Sequence, residues 1–251
     1  MKLATWNVNS IRVRKDQVIE WLNERRVDVL CLQELKCTED QFPFSEFEAI
    51  GYHATVHGQK TYNGVAILSL KPLNSKWNGL SDPQARLIAA EVDGVEIVSA
   101  YFPNGGSIGS DKYAYKLEWM SELATFLGKR DFDTERFVLC GDFNVAPFDD
   151  DVAVLEDYAG GVLTSDDVRK ALGRISDLGL TDVFRPFFPD GRVYSWWDYR
   201  GRGFERNHGL RIDHVFASRP MAEKAIGAIV DRHPRMAENA SDHAPVIVEF
   251  G

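Results

Sequence analysis

Asp142 and Asn144 in "VLCGDFNVAP", residues 138–147, follow directly on an apolar run. In an extended chain, side chains two apart share a face, so this pair would project together while Phe143 turns away. Gly, Asp, Asn and Pro are also turn formers, so a plain turn explains the stretch equally well by itself. Four other stretches repeat the pattern. "LATWNVNS" ends on Asn7 and Asn9, and "VDVLCLQELK" reaches Glu34. "GLRIDHVFAS" embeds Asp213 and His214, and "NASDHAPVIVEF" sets Asp242 and His243 before an apolar run. Each alone could be a cap or a loop residue. Asp213 is the hardest to dismiss, because an unpaired carboxylate in an apolar strand is costly. Together they suggest one site, since ligands bind where strand ends meet.

Four converging carboxylates, Glu34, Asp142, Asp213 and Asp242, would repel one another. Either some hold protons or a cation sits among them. The candidate donors are hard oxygens with no thiolate and one well-placed imidazole, which favours Mg²⁺ or Mn²⁺ over Zn²⁺. Such a centre suits hydrolysis of a phosphate ester, with a carboxylate to orient or deprotonate water. A competing reading starts from "GGSIG", residues 105–109, which matches the G-x-S-x-G elbow of serine hydrolases. Ser107, Asp213 and His243 even follow in the required chain order. The elbow needs a strand running straight into the serine turn, however, and "FPNG" intervenes.

The elements that must carry these residues are short and evenly spread. "KLATW", "VDVLCL", "GVAILSL", "RLIAAEV", "VEIVSAYF", "FVLC", "RIDHVFA" and "PVIVEF" read as strands. Several are continuously apolar, as in strands covered on both faces. "EVDGVEIV" carries the Asp-Gly signal of a tight hairpin. Helical spacing appears in "VRKDQVIEWLNERR", through Val18, Trp21, Leu22 and Arg25, and in "TSDDVRKALGRISDLGL". "SDKYAYKLEWMSELATFLGKR" opens on a cap signal and predicts a helical face of Tyr115, Trp119, Leu123 and Phe126. The expectation is an α/β protein with mixed sheets and outer helices, in one domain over residues 1–251.

With 44% hydrophobic residues among 251, the chain has material for a large core. No apolar run approaches membrane-spanning length. The start, "MKLATWNVNS", lacks the apolar stretch of a signal peptide. Cys31, Cys37 and Cys140 have no CxxC spacing and read as reduced thiols, so the cytoplasm is the expected compartment. A net charge of −9 argues against a general nucleic-acid coating protein but leaves room for a local basic surface.

"TWNVNSIR", "LQELK", "GQKTYNGVAI", "YFPNG", "GDFNVAP", "YSWWDYR", "GLRIDH" and "SDHAP" occur in the order seen in exonuclease III. The chain thus resembles the bacterial abasic-site endonucleases of the endonuclease/exonuclease/phosphatase superfamily, from Leu3 to Phe250. "GDFN" and "SDH" mark only the superfamily, whereas "LQELK", "YSWWDYR" and "GLRID" are specific to this branch. The resemblance implies a four-layer α/β sandwich, two mixed β-sheets face to face with helices outside. It implies Mg²⁺-dependent cleavage 5′ to abasic sites in duplex DNA, leaving a 3′-hydroxyl, with trimming of blocked 3′ ends and 3′→5′ exonuclease activity in relatives. A monomer without membrane attachment is expected. A phosphodiesterase or phosphatase of the superfamily with a non-DNA substrate is the alternative.

By motif position, Glu34 resembles the principal metal ligand, with Asn7 and Asn9 beside it and Asp242 as a second metal-side carboxylate. Some relatives have Asp where this chain has Asn9. Asp142 resembles the residue that activates water, Asn144 its partner at the phosphate, and Tyr101 the tyrosine at the scissile phosphate. Asp213 and His243 resemble the Asp–His pair. Trp196 and Trp197 would meet DNA, one of them lining an abasic pocket, although tryptophan is usually a core residue. Residues 198–211 hold Arg200, Arg202, Arg206 and Arg211 against Asp198 and Glu205, a local surplus of positive charge that favours DNA. Asn104 and Lys60 are further candidates for phosphate contacts.

Overall fold

A computed structural model describes residues 1–251. Twelve strands are formed: β1 (Lys2–Asn7), β2 (Val29–Gln33), β3 (His53–His57), β4 (Val65–Ser69), β5 (Asn74–Asn78) and β6 (Leu87–Val92). They continue with β7 (Val95–Tyr101), β8 (Phe137–Asp142), β9 (Thr181–Asp182), β10 (Asp213–Ala217), β11 (Ala225–Val230) and β12 (Val246–Phe250). The helices are α1 (Ile11–Arg25), α2 (Phe44–Ala49), α3 (Asp111–Leu127), α4 (Leu155–Tyr158), α5 (Asp166–Ser176), α6 (Gly203–Arg206) and α7 (Arg219–Ala222). No helix is long and apolar enough to cross a membrane.

The strands make two six-stranded sheets, β11-β12-β1-β2-β4-β3 and β5-β6-β7-β8-β10-β9. Each has a parallel pair at its centre, β1–β2 and β7–β8, flanked by antiparallel strands. Helices α1 and α3 provide the crossovers that parallel neighbours require. Leu3, Val29, Cys31 and Val248 pack against Ile97, Val138, Cys140 and Val215 between the sheets. Ala4, Leu30, Leu32 and Ile247 face outward onto Trp21, Leu22 and Phe47 of the helices. The opposite outer face packs on α3 and α5. Burial on both faces explains the continuously apolar strands, and the result is the expected four-layer sandwich.

Two expectations need correction. The buried face of α3 runs through Tyr113, Lys116, Trp119, Met120, Leu123 and Leu127, while Tyr115 and Phe126 lie at its margin. Tyr115 instead accepts a hydrogen bond from Arg86. Four strands, β3, β5, β9 and β11, lie outside the predicted set, and all four are sheet edges; β11, "AIGAIV", is apolar but is not among the expected runs. The Asp-Gly hairpin is present between β6 and β7, with Asp93 and Gly94 both at positive φ.

Candidate active site

Strand order brings the polar residues to one end of the sandwich. Tyr101, Asp142 and Asp213 are cross-strand neighbours in register. Asn7 ends β1 beside Gln33, directly before Glu34. Strand β12 runs antiparallel to β1, so Asp242 and His243 enter at the same end. Gly141 allows this close approach, since a Cβ there would lie 1.8 Å from the Ala100 carbonyl oxygen.

Asp142 and Asn144 do meet, but not by strand alternation. The strand stops at Asp142, and Asn144 turns into the left-handed region at φ 51°. Its main-chain N–H donates to Asp142 Oδ1 at 2.9 Å. Asn7 and Asn9 repeat the same turn, with Asn9 at φ 45° and its amide 2.9 Å from Asn7 Oδ1. Asn tolerates this conformation and forms this side-chain turn readily. So the turn reading and the site reading describe the same residues.

The centre is a chain of contacts. Asn7 Nδ2 donates to Asp142 Oδ2 at 2.9 Å, and His243 Nε2 lies 3.6 Å from that oxygen. On its other side, His243 Nδ1 sits 2.8 Å from Asp213 Oδ2, which also accepts from Ser195 Oγ at 2.6 Å. Burial pulls His243 toward neutrality, but Asp213 and Asp142 outweigh it and raise the imidazole to about 10. Burial raises Asp142 to about 7, with His243 opposing. Asp142, Asp213 and His243 have donor atoms within 4.8 Å and could hold a metal ion. The imidazolium already supplies the positive charge between these carboxylates, so we favour a second group for that role.

The second group is Glu34, Asn7, Asn9 and Asp242. Glu34 accepts from the Tyr101 hydroxyl and lies 3.0 Å from Lys36 Nζ, which also donates to Asn9 Oδ1. Asn9 Nδ2 and Trp196 Nε1 donate to the two oxygens of Asp242 at 3.1 and 2.9 Å. Burial tends to raise Asp242, yet His243 and these donors hold it below the usual carboxylate range. Lys36 supplies positive charge here too, but from a flexible and partly exposed stem that an ion could displace, and the oxygen donors fit a hard cation. Burial pushes the Tyr101 phenol well above its usual value, and Glu34 and Asp142 add to this, so it is a hydrogen-bond donor here.

Asn104 joins the site through Asn144 Oδ1, 3.3 Å from its Nδ2. Trp196 is half-buried beside an apolar cluster of Ala146, Val152, Leu210 and Ile212, edge-on to Tyr158. Arg200 and Arg202 are exposed on the following turn, and Lys60 is exposed as well. Two candidates do not reach the surface. Trp197 is fully buried, with Arg232 over its ring. Arg211 is 2% exposed and ion-paired with Asp151 and Asp182 at 2.7 and 2.8 Å. For Trp197, alternation along the chain points it into the core while Trp196 faces the site; Arg211 is drawn inward by its two buried carboxylates. Ser107 lies on an exposed loop well after β7 ends, and its side chain makes no hydrogen bond to His243. The elbow is absent. Sequence reasoning missed Lys36, although it closes "LQELK", and missed Ser195, Ser241 and Tyr199. Ser241 donates to the Asn7 carbonyl and accepts from the His243 amide, tying β1 to the His243 loop.

A sandwich of two mixed sheets with this acidic and imidazole centre defines a class. The chain matches the Endonuclease/Exonuclease/phosphatase family over residues 4–243 and belongs to it. Within that family it is a member of the exonuclease III group. It is 32% identical to exodeoxyribonuclease III of Haemophilus influenzae over 100% of both chains. An AP endonuclease from Archaeoglobus fulgidus superposes with TM-score 0.96 at 41% identity, covering 100% of this chain and 99% of that one. The 3′ phosphatase NExo from Neisseria, solved with a product DNA hairpin, gives 0.97 at 42% identity with the same coverage.

Proposed function

We propose that the protein is a Mg²⁺-dependent DNA-repair nuclease that hydrolyses the phosphodiester 5′ to abasic sites in duplex DNA, leaving a 3′-hydroxyl. Blocked 3′ ends are a second substrate of the same centre, in keeping with its likeness to a 3′ phosphatase. The observation that carries the reading is the row Asn7–Asp142–His243–Asp213, each link at hydrogen-bond or near-contact distance. Asp142, raised by burial to about 7, accepts a proton from the attacking water and orients it. His243, held protonated and in one orientation by Asp213, donates to a phosphate oxygen as charge builds. Asn7 and Asn144 fix the Asp142 carboxylate through both its oxygens. Tyr101 faces the phosphate as a donor. Asn144, engaged by the Phe102 carbonyl and by Asp142, acts there as the partner of Asp142 by holding its carboxylate in place.

Glu34, Asn7, Asn9 and Asp242 would hold Mg²⁺ or Mn²⁺. When bound, the ion neutralises phosphate charge. The apolar cluster of Ala146, Val152, Leu210 and Ile212 beside Trp196 suits a sugar that has lost its base. Arg200 and Arg202 supply phosphate contacts from the adjoining turn, and Asn104 from the loop after β7. The protein works as a monomer of one domain in the cytoplasm. The test is a labelled duplex with one abasic analogue, incubated with Mg²⁺ and with EDTA. A single cut 5′ to the lesion, lost in EDTA, is expected. Cleavage that survives EDTA, or an intact duplex under Mg²⁺, refutes the proposal.

A further inference from the structure

Lys116 is a buried ammonium that the proposed chemistry does not use. It lies in α3 at 0% exposure, on the helix face that carries Tyr113, Trp119 and Met120 into the outer core. Its Nζ donates to the main-chain oxygen of Asn144 at 2.6 Å and points to that of Asn104 at 3.5 Å. Its stem packs on Gly105, where a Cβ would come within 2.9 Å of Lys116 Cδ. Helix α3 is the crossover between β7 and β8, and Asn104 and Asn144 stand on the loops that leave those two strands. The crossover helix therefore reaches back and ties together the exits of both strands it connects.

Such a lysine is expensive to keep. Burial lowers its ammonium to about 7, with Asp142 opposing and Arg86 adding to the fall. A methionine of similar length would avoid this cost, and replacing buried charge with apolar bulk is often neutral or stabilising. It would, however, leave the Asn144 carbonyl without this donor while Asn144 is held at φ 51°. Retention of a costly group at a site is characteristic of function rather than stability.

We propose that Lys116 is a positioning residue whose ammonium clamps the Asn104 and Asn144 backbones, keeping the Asn104 amide aimed at the substrate phosphate and Asn144 locked against Asp142. The Asn104 to Asn144 hydrogen bond and the bond from Asn144 Nδ2 to the Phe102 carbonyl, at 3.0 Å, depend on that alignment. The inference rests on the reading of Asn104 and Asp142 as the groups that face the phosphate and its attacking water.

Lys116→Met and Lys116→Arg test it against the wild-type protein by hydrogen exchange, thermal melting and single-turnover cleavage of an abasic duplex. In Lys116→Met, amides of residues 102–107 and 142–147 should exchange roughly tenfold faster, with no loss of melting temperature. Its rate at saturating duplex should fall about 10–100-fold, as expected when reacting groups are slightly misplaced. Lys116→Arg, which keeps donors and charge, should recover part of that rate. Unchanged loop exchange with an unchanged rate in a folded Lys116→Met overturns the clamp. So does failure of both variants to fold, which would make Lys116 a plain core residue. A wild-type protein inert on the duplex refutes the proposed function alone, because the exchange comparison still decides the clamp.

Discussion

If His243 and Asp213 act as one unit, removing either should remove most of what both provide. His243 Nδ1 lies 2.8 Å from a carboxylate with no solvent access, itself held by Ser195 at 2.6 Å. Without Asp213 the ring loses its strongest partner, its orientation and the larger part of the field that keeps it protonated. His243→Ala and Asp213→Ala should therefore each lower kcat by roughly 10²–10⁴, the range for losing one such donor. The double variant should be scarcely worse than the poorer single one, because groups acting together are strongly non-additive. Breaking a buried pair also destabilises, by about 3–5 kcal/mol when one partner is left uncompensated. Melting curves for all four proteins must therefore accompany single-turnover rates, measured well below each transition. Rate losses that multiply in the double variant, in folded proteins, would show two independent groups and refute the pairing.

Arg200→Ala with Arg202→Ala should weaken DNA binding more than the chemical step. The log–log salt dependence should flatten by about one unit for each phosphate the turn no longer neutralises; an unchanged slope would remove this turn from the interface. Arg211→Ala should behave oppositely, leaving the salt slope alone while costing about 3–5 kcal/mol in denaturant unfolding, since Asp182 would lose its ion-pair partner and Asp151 would keep only Arg185. Lys116 gives a pH signature. Its folded value of about 7 lies below the ordinary 10.5, so the unfolded chain binds more protons between them. Its contribution to stability therefore rises with pH across that window. Chemical denaturation from pH 7 to pH 10 should show that rise in wild type relative to Lys116→Met, and parallel curves would contradict it.

The eight strands predicted from apolar runs are the interior ones, and the four left out are the edges, of which only β11, "AIGAIV", is itself apolar. Interior strands are buried on both faces and are therefore mostly apolar. The edge strand β5, "NSKWN", is mostly exposed and carries no such requirement. The same limit shows in the helices: α3 stands where the spacing predicts it, yet its buried face includes Lys116, which periodicity of apolar residues cannot announce.

Residue type and order alone determined that carboxylates and amides would stand at strand ends, because those positions break apolar runs that only a core strand explains. They also carried the motifs of the family. Only the tertiary structure decided which of two adjacent residues faces the site. Trp196 bonds Asp242 while Trp197 is core, and the tertiary structure alone shows that Arg211, two residues before the site's Asp213, is locked in an internal ion pair. Tertiary structure also decided how Asp142 and Asn144 meet, through a left-handed turn rather than a pleat. The physical reason is the same in each case. Composition sets what burial costs, but which side of the backbone is buried depends on the neighbouring strands and loops, and those arrive from elsewhere in the chain.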